Sequence, residues 1–189
     1  STPKPSSAAS DVYKRQYLYR SPFHAETPEQ ESERALAHLE QTIQLEGPAT
    51  IAAIIIETVV GTNGVLVPPP GYLKGVRELC DRYGIVYIAD EVMVGFGRLG
   101  EWFGIDAYDG RPDLITFAKG VNSGYVPLGG VVISERIARA FDTTPFAGGL
   151  TYSGHPLACA AGVATFEVFR RDGILERVRD LGAVSYTHL

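Results

Sequence analysis

Residues 85–91 read IVYIADE, and residues 114–119 read LITFAK. Each stretch is a short apolar run that ends abruptly at a charged residue, which is typical of a buried strand followed by a loop. Between residues 71 and 83 the apolar residues recur at helical spacing, and Gly84 is suited to end that helix. This order of helix and strands predicts a parallel sheet covered by helices.

The alternation continues on both sides of these stretches. The run IAAIII at residues 51–56 predicts a strand buried on both faces, and LGGVVI at residues 128–133 predicts another strand. Thr27 followed by Pro28 marks a helix start, so a helix is predicted over residues 27–45. Further helices are predicted at residues 135–141, at residues 155–171 and from residue 174 onward. We therefore predict an α/β fold with a mostly parallel sheet and helices on both faces.

The two ends of the chain differ from the rest. Residues 1–16 are rich in Ser, Pro and Ala without periodicity, and the closing VSYTHL at residues 184–189 interrupts a helical pattern. Both ends resemble translated linker or adapter sequence. The predicted domain therefore covers residues 17–183 and is expected to be a piece of a larger protein, with a non-native or disordered segment at 1–16 and a non-native tail at 184–189.

The composition narrows the classes of function. The 189 residues suffice for one domain with a core, and the formal net charge of −5 gives no reason to expect nucleic acid or an acidic membrane as a partner. No apolar run approaches the ~20 residues of a membrane span, and no signal peptide is visible, so a cytoplasmic location is expected. Cys80 and Cys159 lack metal-site spacing and are expected to be buried free thiols, and no metal is expected.

An acid and a lysine follow two of the predicted strands. Asp90 and Glu91 end the first run, and Lys119 follows the second, 29 residues after Asp90. In sheets of this kind ligands bind outside the carboxyl ends of the strands. A lysine can bond to an aldehyde, and a carboxylate can keep a pyridine nitrogen protonated, so the pair suits a covalently held pyridine cofactor. A surface salt bridge between Asp90 and Lys119 is the alternative interpretation.

Three longer segments carry a family resemblance. They read DEVMVGFGRLGEWFG at residues 90–104, PDLITFAKGVNSGYVPLGGVVIS at residues 112–134 and GLTYSGHPLACAAGVATFEV at residues 149–168. In order and spacing they resemble class III, pyridoxal-phosphate-dependent aminotransferases of fold type I, over residues 17–183. The resemblance implies an incomplete fold type I large domain, pyridoxal 5′-phosphate (PLP) as cofactor, an amino donor and a 2-oxo acid as substrates, and a homodimer.

The resemblance also implies roles for individual residues. Asp90 would pair with the pyridine nitrogen, and Val92 would pack against the ring. Lys119 would form the Schiff base with the cofactor and then move protons. Thr151 would bind the phosphate, from the neighbouring subunit, and Glu57 would line the cofactor pocket.

Three positions depart from the common family pattern. Thr58 stands where many members have Pro, Thr62 where many have Glu, and Met93 where many have Gln. These departures favour the branch that uses ω-amino acids or amines with pyruvate, and they count against an ornithine-like or 4-aminobutyrate-like substrate.

Other functions stay open at this point. A nucleotide-binding module would need a GxGxxG turn, which the loop ETVVGTNGV at residues 57–65 lacks. An aminomutase or racemase of the same fold, or a non-catalytic remnant, is compatible with the motifs. The phosphate-gripping loop and the carboxylate-binding Arg of the family fall outside the chain, so the isolated chain is expected to be poorly soluble and inactive.

Overall fold

The computed structural model describes residues 18–108 and 110–187, with side chains up to residue 182. The segment predicted to be foreign at residues 1–16 lies outside the described residues, as do residues 188 and 189 of the predicted tail. No helix in the described part of the chain has the length and apolar character needed to cross a membrane.

The described residues form one four-stranded sheet with helices before, between and after its strands. The strand order is β1-β2-β3-β4, with β1, β2 and β3 parallel and β4 antiparallel to β3. The predicted fold class, a mostly parallel α/β sheet, is therefore confirmed. The strands are β1 (Ala53–Glu57), β2 (Val86–Asp90), β3 (Leu114–Phe117) and β4 (Gly130–Ile133), and the helices are α1 (Pro28–Glu46), α2 (Tyr72–Tyr83), α3 (Glu135–Ala138), α4 (Pro156–Arg171) and α5 (Ile174–Thr187).

The predicted start of α1 and the predicted end of α2 are both confirmed. The Thr27 hydroxyl accepts a hydrogen bond from the backbone N–H of Gln30 at 3.3 Å, and Pro28 is the first residue of α1. At the end of α2, Gly84 adopts a left-handed backbone with a φ of 68°, which a side chain would disfavour. These caps fix the two helices that cover the sheet.

One face of the sheet carries the hydrophobic core. Ile54 and Ile56 of β1 and Tyr87 and Ala89 of β2 are buried, and they alternate with residues that are more exposed. The buried side chains of α1 and α2 join Ile54, Ile56 and Tyr87 in a single cluster: Ala35, Leu39, Ile43, Tyr72, Leu73, Val76, Leu79 and Cys80. We refer to this side of the sheet as the covered face.

The opposite side, the open face, corrects the prediction that β1 is buried on both faces. Ile55 is 51% exposed, and Val131 and Ile133 of β4 are 54% and 47% exposed. The physical reason is that strand alternation directs these side chains away from α1 and α2, which both pack on the covered face. Within the described residues, the sheet is therefore covered by helices mainly on one face.

The two cysteines differ, and the prediction for one of them was wrong. Cys80 is buried in the core, where burial raises the pKa of its thiol to about 12 and makes it unreactive. Cys159, which was expected to be buried, is exposed on α4. Only Ala158 and Gly162 of that helix are buried, so its apolar pattern is not matched by a covering layer among the described residues.

A buried carboxylate links α2, β2 and α3 at the amino end of β3. Asp113 accepts hydrogen bonds from Arg77 Nη1 and from the backbone N–H of Tyr87, both at 2.9 Å, and from Arg136 Nη2 at 2.6 Å. Burial acts to raise the pKa of Asp113, but the hydrogen bonds from Arg136, Tyr87 and Arg77 together hold it below its ordinary value. The folded state therefore favours the ionised form of Asp113.

We expect Asp113→Asn to lower the free energy of unfolding by roughly 2 kcal/mol at pH 7, because it removes a charged acceptor from three donors. A folded-state pKa below the unfolded value contributes stability above about pH 4, and that stability is lost as the pH falls through the folded pKa. The difference between wild type and variant in urea unfolding should therefore shrink between pH 5 and pH 3.

The matched control is Asp81→Asn, since Asp81 also pairs with Arg77 but is exposed. It should change the free energy of unfolding by less than about 0.5 kcal/mol. A loss of equal size in the two variants, or a loss in Asp113→Asn that does not depend on pH, would contradict the assignment.

Candidate functional site

Three polar side chains form a row at the carboxyl ends of the parallel strands. Glu57 of β1 is paired in register with Asp90 of β2, and Asp90 is paired with Thr116 of β3. Registered neighbours direct their side chains to the same face of a sheet. Because Ile56 and Ala89, the preceding residues, point to the covered face, this row lies on the open face.

Asp90 retains hydrogen-bonding capacity for a ligand. Its Oδ1 accepts a hydrogen bond from the backbone N–H of Val92 at 3.0 Å. Its Oδ2 accepts no hydrogen bond from any residue that the structure describes. The carboxylate is therefore oriented by its own loop, and one oxygen is available to a donor that is not part of the described chain.

Thr116 is a site candidate that sequence reasoning missed. Its hydroxyl oxygen is buried, and it has no hydrogen-bond partner among the described residues. A buried hydroxyl without a partner is costly unless a ligand or water satisfies it. The register of β2 with β3 was the signal that would have found it, since that pairing puts Thr116 beside Asp90.

Lys119 follows β3 in a strained backbone conformation. Its φ is +42°, in the left-handed region that residues with a side chain rarely adopt, and its side chain is exposed. The next residue, Gly120, packs against the loop that follows Asp90: a Cβ there would lie 3.0 Å from the carbonyl oxygen of Gly95 and 2.9 Å from Cβ of Phe96. The structure thus brings the Lys119 segment against the Asp90 loop.

The Asp90–Lys119 pair does not form a salt bridge. Among the residues that the structure describes, no ion pair within 4.0 Å involves either side chain. The alternative interpretation of these residues as a surface salt bridge is therefore not supported. Asp90 and Lys119 are thus both without an ion-pair partner among the described residues.

The remaining predicted site residues are Glu57, Val92 and Thr151, and none of their side chains makes a described hydrogen bond to Asp90 or Lys119. Glu57 Oε2 accepts a hydrogen bond from the backbone N–H of Gly61 at 3.0 Å, so its side chain turns toward its own loop. Val92 is half-buried beside Asp90. Thr151 lies in an exposed turn before α4 and makes no described hydrogen bond to Asp90 or Lys119. No cluster of three or more His, Cys, Asp or Glu residues suited to a metal occurs in the described ranges.

The sequence predicts Glu91 at a strand end but gives no sign of the hydrogen bonds that its carboxylate makes. It is fully buried, and its carboxylate accepts hydrogen bonds from the Thr58 hydroxyl and from the backbone N–H groups of Gly104 and Ile105, the last two at 2.6 Å and 2.9 Å. Burial is the largest influence and raises the pKa of Glu91, although these hydrogen bonds act in the opposite direction.

We expect Lys119→Gly to raise the free energy of unfolding by about 0.5–1 kcal/mol relative to Lys119→Ala, because only glycine adopts a positive φ without a steric cost. Chemical denaturation of the two variants without cofactor measures the difference. Lys119→Ala keeps the Cβ and therefore the strain, which makes it the matched control. A glycine variant no more stable than the alanine variant would show that the backbone at Lys119 is unstrained.

The chain is similar to known proteins along most of its length. The chain matches the model of the family described as aminotransferase class III over residues 4–189. It is 42% identical to gamma aminobutyrate transaminase 2 of Solanum lycopersicum over 161 residues, which are 82% of this chain and 35% of that protein. The chain thus spans about a third of the length of the curated relatives it matches.

Two solved structures share the fold. A taurine:2-oxoglutarate aminotransferase from Bifidobacterium kashiwanohense, in complex with PLP and glutamate, superposes with a TM-score of 0.86 at 46% identity, over 90% of this chain and 38% of that one. An (S)-enantioselective ω-transaminase from Thermomicrobium roseum gives a TM-score of 0.81 at 44% identity, over 87% and 37%. With the family match covering almost every residue, the chain belongs to the class III aminotransferases, a PLP-dependent family.

Proposed function

We propose that the protein carrying this chain is a PLP-dependent transaminase. It moves an amino group from an amino acid or amine to a 2-oxo acid such as pyruvate, with the cofactor held on Lys119 as a Schiff base. The observation that carries the proposal is the placement of Lys119, which has a strained backbone just after a strand end and precedes Gly120, the residue packed against the loop that begins at Asp90. Strain of this kind concentrates at functional sites.

The residues at the strand ends fit this cofactor. PLP carries a ring nitrogen, a ring hydroxyl, an aldehyde and a phosphate, and when bound it stabilises the negative charge that develops on the substrate carbon. Asp90 has a free oxygen for a protonated ring nitrogen, and Thr116 has a buried hydroxyl that lacks a partner. Lys119 supplies an amine that is not engaged in an ion pair with a described carboxylate.

Each of these side chains has a task that follows from its chemistry. Asp90 would hold the protonated ring nitrogen by accepting a charge-assisted hydrogen bond, the stronger kind. Lys119 would hold the cofactor through Nζ, and the same amine is suited to accept and donate the proton that moves between substrate atoms. Val92 would pack against the ring from the loop that also orients Asp90.

Thr151 and Glu57 complete the proposed cofactor set. Thr151 is exposed in a turn together with Leu150 and Tyr152, which are 81% and 80% exposed. An exposed apolar and aromatic turn is suited to burial against another chain. We propose that Thr151 binds the cofactor phosphate of a neighbouring copy in a homodimer, and that Glu57 lines the pocket beside Asp90.

The proposed amino donor is an ω-amino acid or an amine. The similar solved structures include a taurine aminotransferase and an ω-transaminase. In both of these names the amino group is not that of a standard α-amino acid. Thr58, Thr62 and Met93 remain the sequence features that favour this branch. Pyruvate and 2-oxoglutarate are the acceptors to compare in a coupled assay.

The proposal is tested by fixing the cofactor to its lysine in the full-length protein. We expect borohydride to reduce the PLP-loaded protein and to leave one PLP-labelled peptide, which contains Lys119. Peptide mass spectrometry locates the label. Lys119→Ala should abolish both the label and the transaminase activity, because no other side chain can replace the amine.

Lys74→Ala is the matched control, because Lys74 is an exposed lysine of α2. That helix packs on the covered face of the sheet, opposite the strand-end row. It should retain the label and the activity. A label on another lysine, or a label that persists in Lys119→Ala, would refute the assignment of Lys119.

We expect Asp90→Asn to reduce kcat/KM for amino transfer on the order of a hundredfold, because an amide cannot stabilise a positive charge on the ring nitrogen. Initial rates with β-alanine, taurine or an aryl amine as donor measure the loss. Asp81→Asn is the control: Asp81 is an exposed carboxylate of α2 that pairs with Arg77 and does not belong to the strand-end row. Comparable losses in the two variants would contradict a direct role for Asp90.

A further inference from the structure

The buried carboxylate of Glu91 joins three segments below the strand-end row. Its donors are the Thr58 hydroxyl at the end of β1 and the backbone N–H groups of Gly104 and Ile105 in the short 3-10 turn Gly104–Ala107. Glu91 itself follows β2. Glu91 is 0% exposed and Thr58 is 1% exposed, so water does not compete for these hydrogen bonds.

The approach of the backbone to this carboxylate depends on small residues. A Cβ on Gly104 would lie 3.1 Å from Glu91 Oε2 and 2.7 Å from Val94 Cγ2, and a Cβ on Gly95 would lie 2.8 Å from the carbonyl oxygen of Glu91. Both glycines belong to the segment that leaves Asp90 and returns at Ile105. The loop that carries Val92 is therefore wrapped around the Glu91 side chain.

Thr58 and Glu91 are each adjacent in sequence to a proposed cofactor residue. Thr58 follows Glu57, and Glu91 follows Asp90, while Glu57 and Asp90 are paired in register. Successive residues at a strand end direct their side chains to opposite faces. The Thr58–Glu91 hydrogen bond therefore connects the same two strand ends as the Glu57–Asp90 pair, but from the covered side.

We propose that Thr58 and Glu91 are positioning residues for the cofactor: their hydrogen bond holds the end of β2 so that Asp90 faces the ring nitrogen on the open face. This inference rests on the proposed function. Neither side chain needs to touch the cofactor, since the effect passes through the backbone from Glu91 to Asp90 and Val92.

The energetics favour a positioning role over a simple gain in stability. A carboxylate removed from water loses solvation, and the raised pKa of Glu91 reflects that cost. An apolar side chain would fill this space without such a cost, whereas three directional hydrogen bonds define one orientation of the loop. Thr58, which stands where many family members have Pro, supplies one of the three donors.

The test measures PLP affinity in the full-length protein, by absorbance titration of the cofactor-free form. We expect Thr58→Val to weaken PLP binding about tenfold, since the loss of one hydrogen bond to a buried charge is of that order. Thr58→Ser restores the hydroxyl and should restore the affinity. Glu91→Gln should weaken binding as well, and combining it with Thr58→Val should add less than the sum of the single effects.

Thr42→Val is the matched control, because the Thr42 hydroxyl donates to the carbonyl oxygen of His38 at 2.9 Å within α1, away from the site. The cofactor-free Thr58→Val protein should unfold at a lower urea concentration than Thr42→Val because a buried acceptor loses its donor, but it should remain folded in the titration buffer, and only Thr58→Val should lose PLP affinity. The bound absorbance maximum should also shift only in Thr58→Val, which a loss of stability alone does not produce.

The outcomes separate this inference from the function on which it rests. Wild-type PLP affinity in Thr58→Val, or a loss that Thr58→Ser does not restore, overturns the positioning role while the labelling of Lys119 still supports the transaminase. A Thr58→Val protein whose weaker binding is matched by general unfolding also overturns it. A wild-type protein that forms no bond between PLP and Lys119 overturns the proposed function and this inference together.

Discussion

Parallel pairing of β1, β2 and β3 determines which side chains share one edge of the sheet. Because the three strands run in the same direction, their carboxyl ends coincide, and Glu57, Asp90 and Thr116 fall in one registered row. The antiparallel strand β4 adds a second consequence. The segment that joins β3 to β4 begins and ends at this same edge, so Lys119 remains beside the row instead of crossing to the far end of the sheet.

At this edge, strand alternation directs neighbouring polar side chains to opposite faces of the sheet. Asp90 points to the open face, where a ligand has access, and Glu91 points to the covered face, where it is fixed by buried hydrogen bonds. The same division separates Glu57 from Thr58. The Asp90 carboxylate is therefore accessible to a ligand, whereas the Glu91 carboxylate is held by buried hydrogen bonds. These hydrogen bonds limit how far the loop at Asp90 can move.

Local patterns in the sequence were sufficient for the element order and for the strand-end acid and lysine. Thr27 with Pro28 and the terminal Gly84 have local causes, so they could be predicted from neighbouring residues. The exposure of Ile55 and Cys159 could not, because a continuous apolar run does not reveal whether one face or two will be covered. Glu91 meets Thr58 from 33 residues away, and only the folded sheet brings them together.

The spacing between the two proposed ends of the cofactor site is set by a packed junction of the protein itself. Phe96 and Lys119 both have positive φ values, and Gly120 lies against Phe96 and the carbonyl oxygen of Gly95. Such conformations cost of order 1 kcal/mol each or more. Phe96 offsets this cost by ring contacts with Phe117 and Phe166, with centroids 5.3 Å and 5.5 Å away. Because aromatic packing supports the loop at Phe96 and Gly120 lies against that loop, contacts within the protein itself hold the Lys119 segment beside the segment that follows Asp90.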